Sequence, residues 1–268
     1  MVRILRQSAP QVIHRMLSLR PLPAFQDNYI WTLSNAAGEA IVVDPGDAAP
    51  VLAAAREGLR PVAILLTHHH DDHIGGAAAL LAEFRVPCYA PVEPRISVEA
   101  TRVGQGDVVR IPALDLDLAV LEVHGHTRSH IAFHGGGHLF CGDSLFSLGC
   151  GRMFEGQPAQ MLDALDRMAA LPGDTLVCCG HEYTEANGRF ARVAEPDNAV
   201  RDRRLEDVAR LRAAGLPSVP SRMDQERACN PFLRVDAAGI QAQLRARGLA
   251  SEARADAFAA LRAWKDAF

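Results

Sequence analysis

Apolar positions in the first 180 residues alternate between strand-like and helix-like spacing. Residues 30–33 are rich in apolar side chains, and residues 41–43 form a short apolar run that ends at a Pro-Gly turn. Asp47 then begins a helical pattern. Residues 62–66 predict a second buried strand, and residues 74–84 predict another helix. The beginning of the chain therefore has the strand and helix alternation of an α/β protein.

The remainder of the chain divides into a strand-rich middle and a helical end. Leucine and valine recur at every second position within residues 107–142, which predicts several strands. Residues 161–168 predict a helix, and residues 175–179 predict one more strand. From about residue 185 the sequence is rich in Ala and Arg, has helical periodicity and shows no convincing strand. The pattern predicts a layered α/β domain followed by a closely packed helical domain.

Composition excludes several classes of protein. The chain has 268 residues, of which 49% are hydrophobic and 22% charged, and this is too apolar for a disordered chain. No apolar run approaches the ~18 residues that a bilayer-spanning helix needs, which excludes an integral membrane protein. Lys and Arg total 28 against 32 for Asp and Glu. The formal charge of -4 therefore argues against nucleic acid as a partner.

Two further features concern location and the start of the chain. The six cysteines include no CxxC pair, so we expect free thiols in a reducing cytoplasm.

The first 26 residues contain four arginines and no acidic residue, a pattern that resembles an organelle transit peptide. We expect instead that residues 1–15 are a non-catalytic extension and that Met16 is the effective beginning.

A histidine cluster provides the strongest chemical signal. The sequence THHHDDHIGG at residues 67–76 follows the apolar run 62–66 directly. Four imidazoles and two carboxylates within six positions would repel one another or desolvate badly without a cation among them. A solvated polyhistidine tract would not lie between a strand and an amphipathic helix. The cluster therefore predicts a metal site.

Backbone geometry indicates which members of this cluster can converge. In extended backbone His68 and His70 point to one side and His69 to the other, so we expect His69 behind the site. Asp72 and His73 lie where the chain turns into the next helix, and they can face a neighbouring point in space. Four side chains of the cluster are therefore candidate ligands.

Three later residues follow strand-like segments and have Gly immediately before them, as a tight turn needs: His126, Asp143 and His181. Together with the cluster they make seven nitrogen and oxygen donors, too many for one tetrahedral zinc but suited to two ions that share a carboxylate. The sequence therefore predicts two divalent metal ions per chain. Zinc is our first expectation, with iron or manganese as alternatives, because imidazole and carboxylate accept all three.

The motifs around these donors resemble the metallo-β-lactamase superfamily. They are THHHxDH (67–73), GHT (125–127), GD (142–143) and GHEYT (180–184). Within the superfamily, residues 21–268 resemble the bacterial hydroxyacylglutathione hydrolase (glyoxalase II) family. The motifs for this closer resemblance are FQDNYIW (25–31), VDPGD (43–47), GCGR (149–152), FEG (154–156), NPFLR (230–234) and RAWKDAF (262–268). The resemblance implies an αββα sandwich at residues 16–181 and a helical glutathione-binding domain at residues 182–268.

Carried over position by position, the resemblance divides the donors between two ions. One ion would be held by His68, His70 and His126, the other by Asp72, His73 and His181, with Asp143 between them. Asp72 and Asp143 bring the negative charge that a metal pair needs, and they are the expected catalytic carboxylates.

The resemblance also implies a site for glutathione, which carries two carboxylates. The implied binding residues are Arg152, Tyr183, Asn187, Arg262 and Lys265. Arg262 and Lys265 are three apart and so lie on one helical face, and Lys265 is the only lysine of the chain. The sequence departs from the family pattern where Phe154 replaces a frequent Tyr and His124 replaces a Pro. Arg152 stands where some relatives have Lys, which preserves the charge but changes the geometry.

The implied activity is that of a thioesterase. It would hydrolyse S-(2-hydroxyacyl)glutathione, chiefly S-D-lactoylglutathione, to glutathione and a 2-hydroxy acid such as D-lactate, the second step of methylglyoxal detoxification. A metal-bridging hydroxide would attack the thioester carbonyl, and the metals would stabilise the oxyanion. A thiol with a pKa near ~8.5 leaves readily as the thiolate. The expected partner is therefore a small-molecule glutathione thioester, and we expect a monomer.

Other functions fit the sequence less well. The persulfide dioxygenase branch uses one iron in a facial triad, and the complete second-metal set and helical tail argue against it. A non-enzymatic metal-binding protein of the same fold would not need every ligand position. The acidic charge balance disfavours a nuclease of the superfamily, and a lactamase would lack the terminal Arg262 and Lys265.

Overall fold

The computed structural model describes residues 17–268, so the predicted extension at 1–15 and the start at Met16 lie outside the described residues. Two six-stranded sheets pack face to face at the centre. The strands of the first sheet, in order across it, are β1 (Ser18–Ala24), β2 (Asn28–Ser34), β3 (Glu39–Val43), β4 (Arg60–Leu65), β5 (Cys88–Ala90) and β6 (Thr101–Arg102).

The direction of the strands in the first sheet determines where its polar residues emerge. Strands β1, β2 and β3 are antiparallel, whereas β3, β4, β5 and β6 run parallel. Parallel strands end at the same edge of a sheet. Val43 and Leu65 are register partners at the ends of β3 and β4. Asp44 and the histidine cluster at residues 67–70 therefore leave the sheet side by side.

The second sheet brings the later candidate residues to a similar edge. Its strands are β7 (Val108–Ile111), β8 (Leu116–Glu122), β9 (Ile131–Gly135), β10 (His138–Gly142), β13 (Leu176–Cys179) and β14 (Ser221–Arg222), in the order β14-β13-β10-β9-β8-β7. A hairpin of β11 (Leu145–Phe146) and β12 (Gly149–Cys150) follows β10. Strands β10 and β13 run parallel with Gly142 beside Cys179, so Asp143 and His181 lie near each other just beyond them.

Helices cover the sheets and make up most of the chain after residue 182. They are α1 (Ala48–Arg56), α2 (Asp71–Ile74), α3 (Ala77–Phe84), α4 (Pro158–Ala169), α5 (Thr184–Ala194), α6 (Ala199–Ala213), α7 (Met223–Cys229), α8 (Ala238–Ala246) and α9 (Arg254–Ala267). Helix α1 begins after Asp47, as predicted. Asp47 is the N-cap of this helix, and its side chain accepts a hydrogen bond from the Ala49 amide.

Alternate side chains of the first sheet enter two different cores. Ile41 and Val43 lie in the core between the sheets, whereas Val42 packs toward Val51 of α1 and Leu80 of α3. This alternation places the first sheet between a helical layer and the second sheet. The core between the sheets continues through α4 into the C-terminal helices. The predicted sandwich and the close packing of the helical region are therefore confirmed.

Two elements differ from the predicted pattern. The pattern predicts one helix at residues 74–84, but α2 ends at Ile74 and α3 begins at Ala77. The chain passes so close to α1 here that a Cβ on Gly76 would lie 2.4 Å from the Ala48 nitrogen. The prediction that no strand follows residue 185 was wrong, because β14 pairs with β13 and extends the second sheet. Within residues 17–268, no helix is both long and apolar enough to cross a membrane.

Candidate active site

Three histidines from two loops come together beside the end of β4. Nδ1 of His70 lies 3.2 Å from Nε2 of His68 and 3.0 Å from Nε2 of His126. The three side chains offer ligand atoms that lie within 4.8 Å of one another. These are the residues that the sequence analysis assigns to one metal ion.

A second group forms next to the first. Nε2 of His73 lies 3.3 Å from Nε2 of His181. Oδ2 of Asp72 lies 3.5 Å from the former atom and 3.4 Å from the latter. These three residues also offer ligand atoms within 4.8 Å of one another. The structure thus gathers the residues that the sequence analysis assigns to the other ion.

Asp143 lies between the two groups. Its Oδ2 atom is 3.5 Å from Nε2 of His126 in the first group and 3.3 Å from Nε2 of His181 in the second. Its Oδ1 atom is 3.3 Å from Nε2 of His73. A single buried carboxylate therefore reaches both groups, as a carboxylate shared by two ions would need to.

Four of the candidate ligand histidines have their Nδ1 atom held by a neighbouring oxygen. The pairs are His68 with Oγ1 of Thr67 at 3.0 Å, His73 with Oδ2 of Asp44 at 3.1 Å, His126 with the carbonyl of Arg152 at 2.8 Å, and His181 with Oδ1 of Asp27 at 2.8 Å. A hydrogen bond from Nδ1 fixes the tautomer and leaves the Nε2 lone pair available. Each of these four rings therefore turns Nε2 toward the centre of the site.

This arrangement fits metal ions. Lone pairs that face one another at hydrogen-bond distance repel unless a cation lies among them. Oδ1 of Asp143 is buried and has no hydrogen-bond partner, which is costly without a positive charge nearby. Asp44 also lies near His68 and His73, but its oxygens accept from the amide and hydroxyl of Thr67 at 2.7 and 2.6 Å. We therefore count Asp44 as a support for His73 and not as a ligand.

Burial and neighbouring charges set the protonation of the site. Burial lowers the pKa of His68 well below its ordinary value, and the charge of His73 adds to this shift, so the ring is in the neutral form that binds metals. Burial raises the pKa of Asp143, but the charges of His73 and His181 outweigh it and hold the pKa well below its usual range. Burial lowers the pKa of His181, but hydrogen bonds to Asp143 and Asp72 raise it to about 10, so without an ion this ring keeps a proton that a bound metal ion would displace.

Sequence reasoning missed several residues that support the site. Asp27 and Asn28 both lie in the FQDNYIW motif, where only the resemblance drew attention to them. Nδ2 of Asn28 donates to Oδ2 of Asp72 at 2.9 Å. His130 is fully buried, and its Nε2 accepts from the amide of Asp143 at 3.2 Å. Each holds a candidate ligand in place from outside the two groups.

Three other residues discussed from the sequence lie outside both groups. His69 is directed toward Oε2 of Glu93 at 3.9 Å and Oε1 of Glu155 at 3.7 Å, behind the site as the alternation predicts. His124 lies 3.7 Å from Glu122. Phe154 is 64% exposed, and its ring meets those of His70 and His126 edge to face.

Glycines precede the later candidate ligands for two different reasons. Gly142 has a φ of 48°, the left-handed conformation that the predicted tight turn requires. Gly180 has no such conformation. A Cβ on Gly180 would lie 2.6 Å from Oδ1 of Asp143 and 2.6 Å from Cε1 of His73. The expectation of a tight turn is therefore wrong at Gly180, where the requirement is space for the ligand side chains.

A cavity of about 370 Å³ opens beside the two groups, with His126 and Asp143 in its wall. All five predicted substrate residues line it, namely Arg152, Tyr183, Asn187, Arg262 and Lys265. Asn187 also fixes the wall, since its Nδ2 donates to the carbonyl of Ser147 at 3.1 Å. Burial lowers the pKa of Lys265, and the charges of Arg262 and Arg152 add to the shift. The cavity is therefore a cationic pocket next to the candidate metal centre.

Comparison with known proteins identifies the family. A model of the metallo-beta-lactamase superfamily matches residues 29–181, and a model of the hydroxyacylglutathione hydrolase C-terminus matches residues 182–268. A hydroxyacylglutathione hydrolase of Xanthomonas campestris pv. campestris (strain B100) is 55% identical over 255 residues, which are 94% of this chain and 99% of the relative. The chain belongs to the hydroxyacylglutathione hydrolase family. A hydroxyacylglutathione hydrolase of Stenotrophomonas maltophilia (strain R551-3) is 53% identical with the same coverage.

Two solved structures share the fold of this hydroxyacylglutathione hydrolase family member. The BLEG-1 B3 metallo-beta-lactamase has a TM-score of 0.59 and 25% identity, covering 81% of this chain and 99% of its own. ETHE1 from Myxococcus xanthus has a TM-score of 0.61 and 23% identity, covering 93% and 99%, and this likeness shows the fold alone. The family match and the two groups of candidate metal ligands together identify this hydroxyacylglutathione hydrolase family member as a metal-dependent hydrolase.

Proposed function

We propose that the chain hydrolyses S-(2-hydroxyacyl)glutathione thioesters, chiefly S-D-lactoylglutathione, to glutathione and a 2-hydroxy acid such as D-lactate. One observation carries this proposal: a single cavity joins the candidate metal centre to a group of cations. Its wall includes His126 and Asp143 as well as Arg152, Arg262 and Lys265. The relatives named hydroxyacylglutathione hydrolase support the proposal with 55% identity over 94% of the chain.

The metal centre would contain two divalent ions, with zinc as first choice and iron or manganese as alternatives. The ions would be held by His68, His70 and His126, by Asp72, His73 and His181, and by Asp143 between them. When bound, such ions supply Lewis-acid activation of a water and of the thioester carbonyl. Asp72 and Asp143 balance the positive charge there, and Asp27, Asp44 and the Arg152 carbonyl keep the imidazoles oriented.

The cationic residues bind and orient the glutathione moiety. Arg262 is held by its Nη1 donation to the carbonyl of Cys150 at 2.9 Å, so its guanidinium has one position in the wall. Charged donors fixed in this way bind carboxylates strongly and place the reacting carbonyl near Asp143. The ring of Tyr183 stacks on that of His181 with the ring centroids 4.7 Å apart, which places an aromatic face of the cavity wall beside the second group of candidate ligands.

The location of the cavity agrees with the domain boundaries that we propose, 16–181 and 182–268. Arg152 and Asp143 belong to the first segment, and Lys265 belongs to the second. The substrate would therefore bind where the two domains meet. We further propose a monomer in the cytoplasm, and the six buried cysteines, all free thiols, suit a reducing compartment.

Steady-state kinetics on two thioesters tests the substrate assignment. S-D-lactoylglutathione carries the glutathione carboxylates, whereas the lactoyl thioester of N-acetylcysteamine lacks them. We expect kcat/KM to be at least about 100-fold higher for the former, since two charge-assisted contacts supply that much. The Arg262→Ala/Lys265→Ala variant should lose this preference, and Arg210→Ala on the exposed face of α6 is the control. Equal kcat/KM for both thioesters in the wild type would refute the assignment.

Metal removal tests the proposed centre separately. Treatment with a chelator should abolish hydrolysis, and return of a divalent metal should restore it. Elemental analysis should find about two metal ions per chain when activity is complete. Full activity in protein from which the metal has been removed would exclude a metal-dependent mechanism.

A further inference from the structure

Asp266 places a carboxylate among the cations of the substrate cavity. Its Oδ1 atom lies 2.9 Å from Nη2 of Arg262 and 3.4 Å from Nε of Arg152. Arg262 is one turn earlier on α9, whereas Arg152 belongs to the loop that follows β12. One carboxylate oxygen therefore joins the last helix to the loop after β12, and Arg152 and Arg262 both line the cavity.

The two arginines differ in how much else holds them. Arg262 is 4% exposed, donates to the Cys150 carbonyl and lies 5.0 Å above the ring of Phe232. The Arg152 side chain is 64% exposed. Among residues 17–268, Asp266 is the one acidic side chain that pairs with Arg152. Without it, Arg152 would sample many rotamers, and ordering so long a side chain on binding has an entropic cost.

We propose that Asp266 is a positioning residue that sets Arg152 and Arg262 in the geometry that receives a carboxylate of the glutathione moiety. This inference rests on the proposed function. Asp266 occupies the Nε edge of Arg152, so the two terminal nitrogens of that guanidinium remain free to donate to the ligand. A guanidinium with a fixed plane can offer a bidentate contact, which a freely rotating one offers only at an entropic cost.

The charge of Asp266 has two opposing effects on an anionic ligand. It repels the ligand carboxylate, but Asp266 is half-exposed, so solvent and salt weaken this repulsion. It also reduces the repulsion among Arg152, Arg262 and Lys265, which share one cavity wall. Because solvent weakens the repulsion of the ligand whereas the contacts of Asp266 keep Arg152 and Arg262 in place, we expect loss of Asp266 to weaken the affinity for glutathione derivatives.

The effect should fall on binding and not on the chemical step. The Arg152 atom that holds the candidate ligand His126 is the main-chain carbonyl, at 2.8 Å from Nδ1. The contact of Asp266 with Arg152 is made to the side chain and not to this carbonyl. A change at Asp266 therefore alters the substrate cavity and leaves the orientation of His126 intact, which predicts a rise in KM with kcat preserved.

The Asp266→Asn variant tests this inference by kinetics and by direct binding. We expect KM for S-D-lactoylglutathione and Kd for S-hexylglutathione, measured by calorimetry, to rise about five- to tenfold. The value of kcat should stay within about twofold of wild type. Asp163→Asn is the matched control, because Asp163 is an exposed carboxylate paired with Arg167 one turn away on α4 and outside the cavity.

Two further variants distinguish positioning from a general structural role. In an Arg152→Gln background, Asp266→Asn should have a smaller effect on Kd than in the wild type, because one of the two arginines that Asp266 positions is already absent and only the contact with Arg262 is left to lose. Asp266→Glu keeps the charge and should restore part of the affinity, which also covers the case in which Asp266→Asn folds poorly.

Three results separate failure of this inference from failure of the proposed function. Unchanged or tighter binding in Asp266→Asn would overturn the positioning role, and tighter binding would show that Asp266 competes with the ligand. Equal effects with and without Arg152 would overturn it as well. If the wild type neither binds S-hexylglutathione nor hydrolyses S-D-lactoylglutathione, the proposed function fails and this inference fails with it.

Discussion

The carboxylate of Asp27 lies 2.8 Å from Nδ1 of His181, although 154 positions separate the two residues in the chain. Asp27 accepts the Nδ1 proton, so the Nε2 atom of His181 remains free to face Asp72 and Asp143. Oxygen partners of this kind orient metal-binding imidazoles and raise their basicity. The geometry therefore links a residue near the start of the described chain to the affinity of the candidate metal centre.

Replacement of this carboxylate should weaken metal binding. We expect Asp27→Asn to lower the affinity for zinc by about 10- to 100-fold, because the amide no longer holds the Nδ1 proton of His181 as strongly. Competition with a chelator of known affinity measures the change. Asp71→Asn is the control, since Asp71 is exposed beside the cluster. Equal affinity in both variants would show that Asp27 does not support the site.

Loss of the carboxylate between the two groups should disrupt the centre as a pair. We expect Asp143→Asn to bind fewer than two metal ions per chain and to lose at least about 100-fold in kcat, because the remaining donors divide into two separate sets. Elemental analysis and steady-state kinetics measure these changes. A variant that kept two ions and wild-type kcat would exclude a shared role for Asp143.

Arg95 ties two loops together through a pair of glutamates behind His69. Its Nε and Nη2 donate to Glu93 at 2.7 and 2.8 Å, and Nη2 also donates to Glu155 at 3.2 Å. These hydrogen bonds lower the pKa of both Glu93 and Glu155 to about 2. Because these values lie below the unfolded value of ~4.3, the stabilisation is present above about pH 4.3 and is lost as the pH falls toward 2.

The Arg95→Gln variant should therefore show a stability difference that depends on pH. We expect its free energy of unfolding at pH 7 to be about 1 kcal/mol lower than that of the wild type. The difference is modest because Arg95 is half-exposed. By pH 3 the difference should fall by about half. Denaturant unfolding at several pH values measures it, with Arg110→Gln, from an exposed pair with Asp117, as the control. A difference independent of pH would contradict the assigned cause.

Asn230 fixes the hairpin that borders the substrate cavity. It is fully buried, and its Nδ2 donates to the carbonyls of Phe146 and Gly149, each at 3.0 Å, and to Oε2 of Glu226 at 3.1 Å. Asn230→Ala should lower the free energy of unfolding by about 2–4 kcal/mol, because buried acceptors lose their donor. Urea unfolding measures the change, with Gln243→Ala as a partly exposed control on α8. A loss below about 0.5 kcal/mol would refute this role.

The candidate ligands were predictable because their chemistry is concentrated at the ends of apolar strands. His68 and His70 are two positions apart in extended backbone, so their common direction follows from local geometry. His126 and His181 each follow a Gly at the end of an apolar segment. The division of these residues between two ions came from the family resemblance, since spacing alone does not show which distant residues meet.

The supporting residues were not predictable in the same way. Asp27, Asp44 and Asp266 each act through a partner that the fold brings near, and no spacing along the chain signals the pair. The division of the predicted helix at Gly76 has a similar origin, since it depends on the approach of α1. Local pattern therefore predicts elements and clusters, whereas contacts between distant segments require the structure.

The contact between His126 and position 152 has a consequence for how the family can vary. The atom that holds the imidazole is a carbonyl oxygen of the main chain, and every amino acid supplies one. The side chain at the same position faces the substrate cavity. Substitutions at this position can therefore adjust how tightly different thioesters are held while the neighbouring imidazole keeps its alignment, so recognition and bond cleavage can evolve independently within one residue.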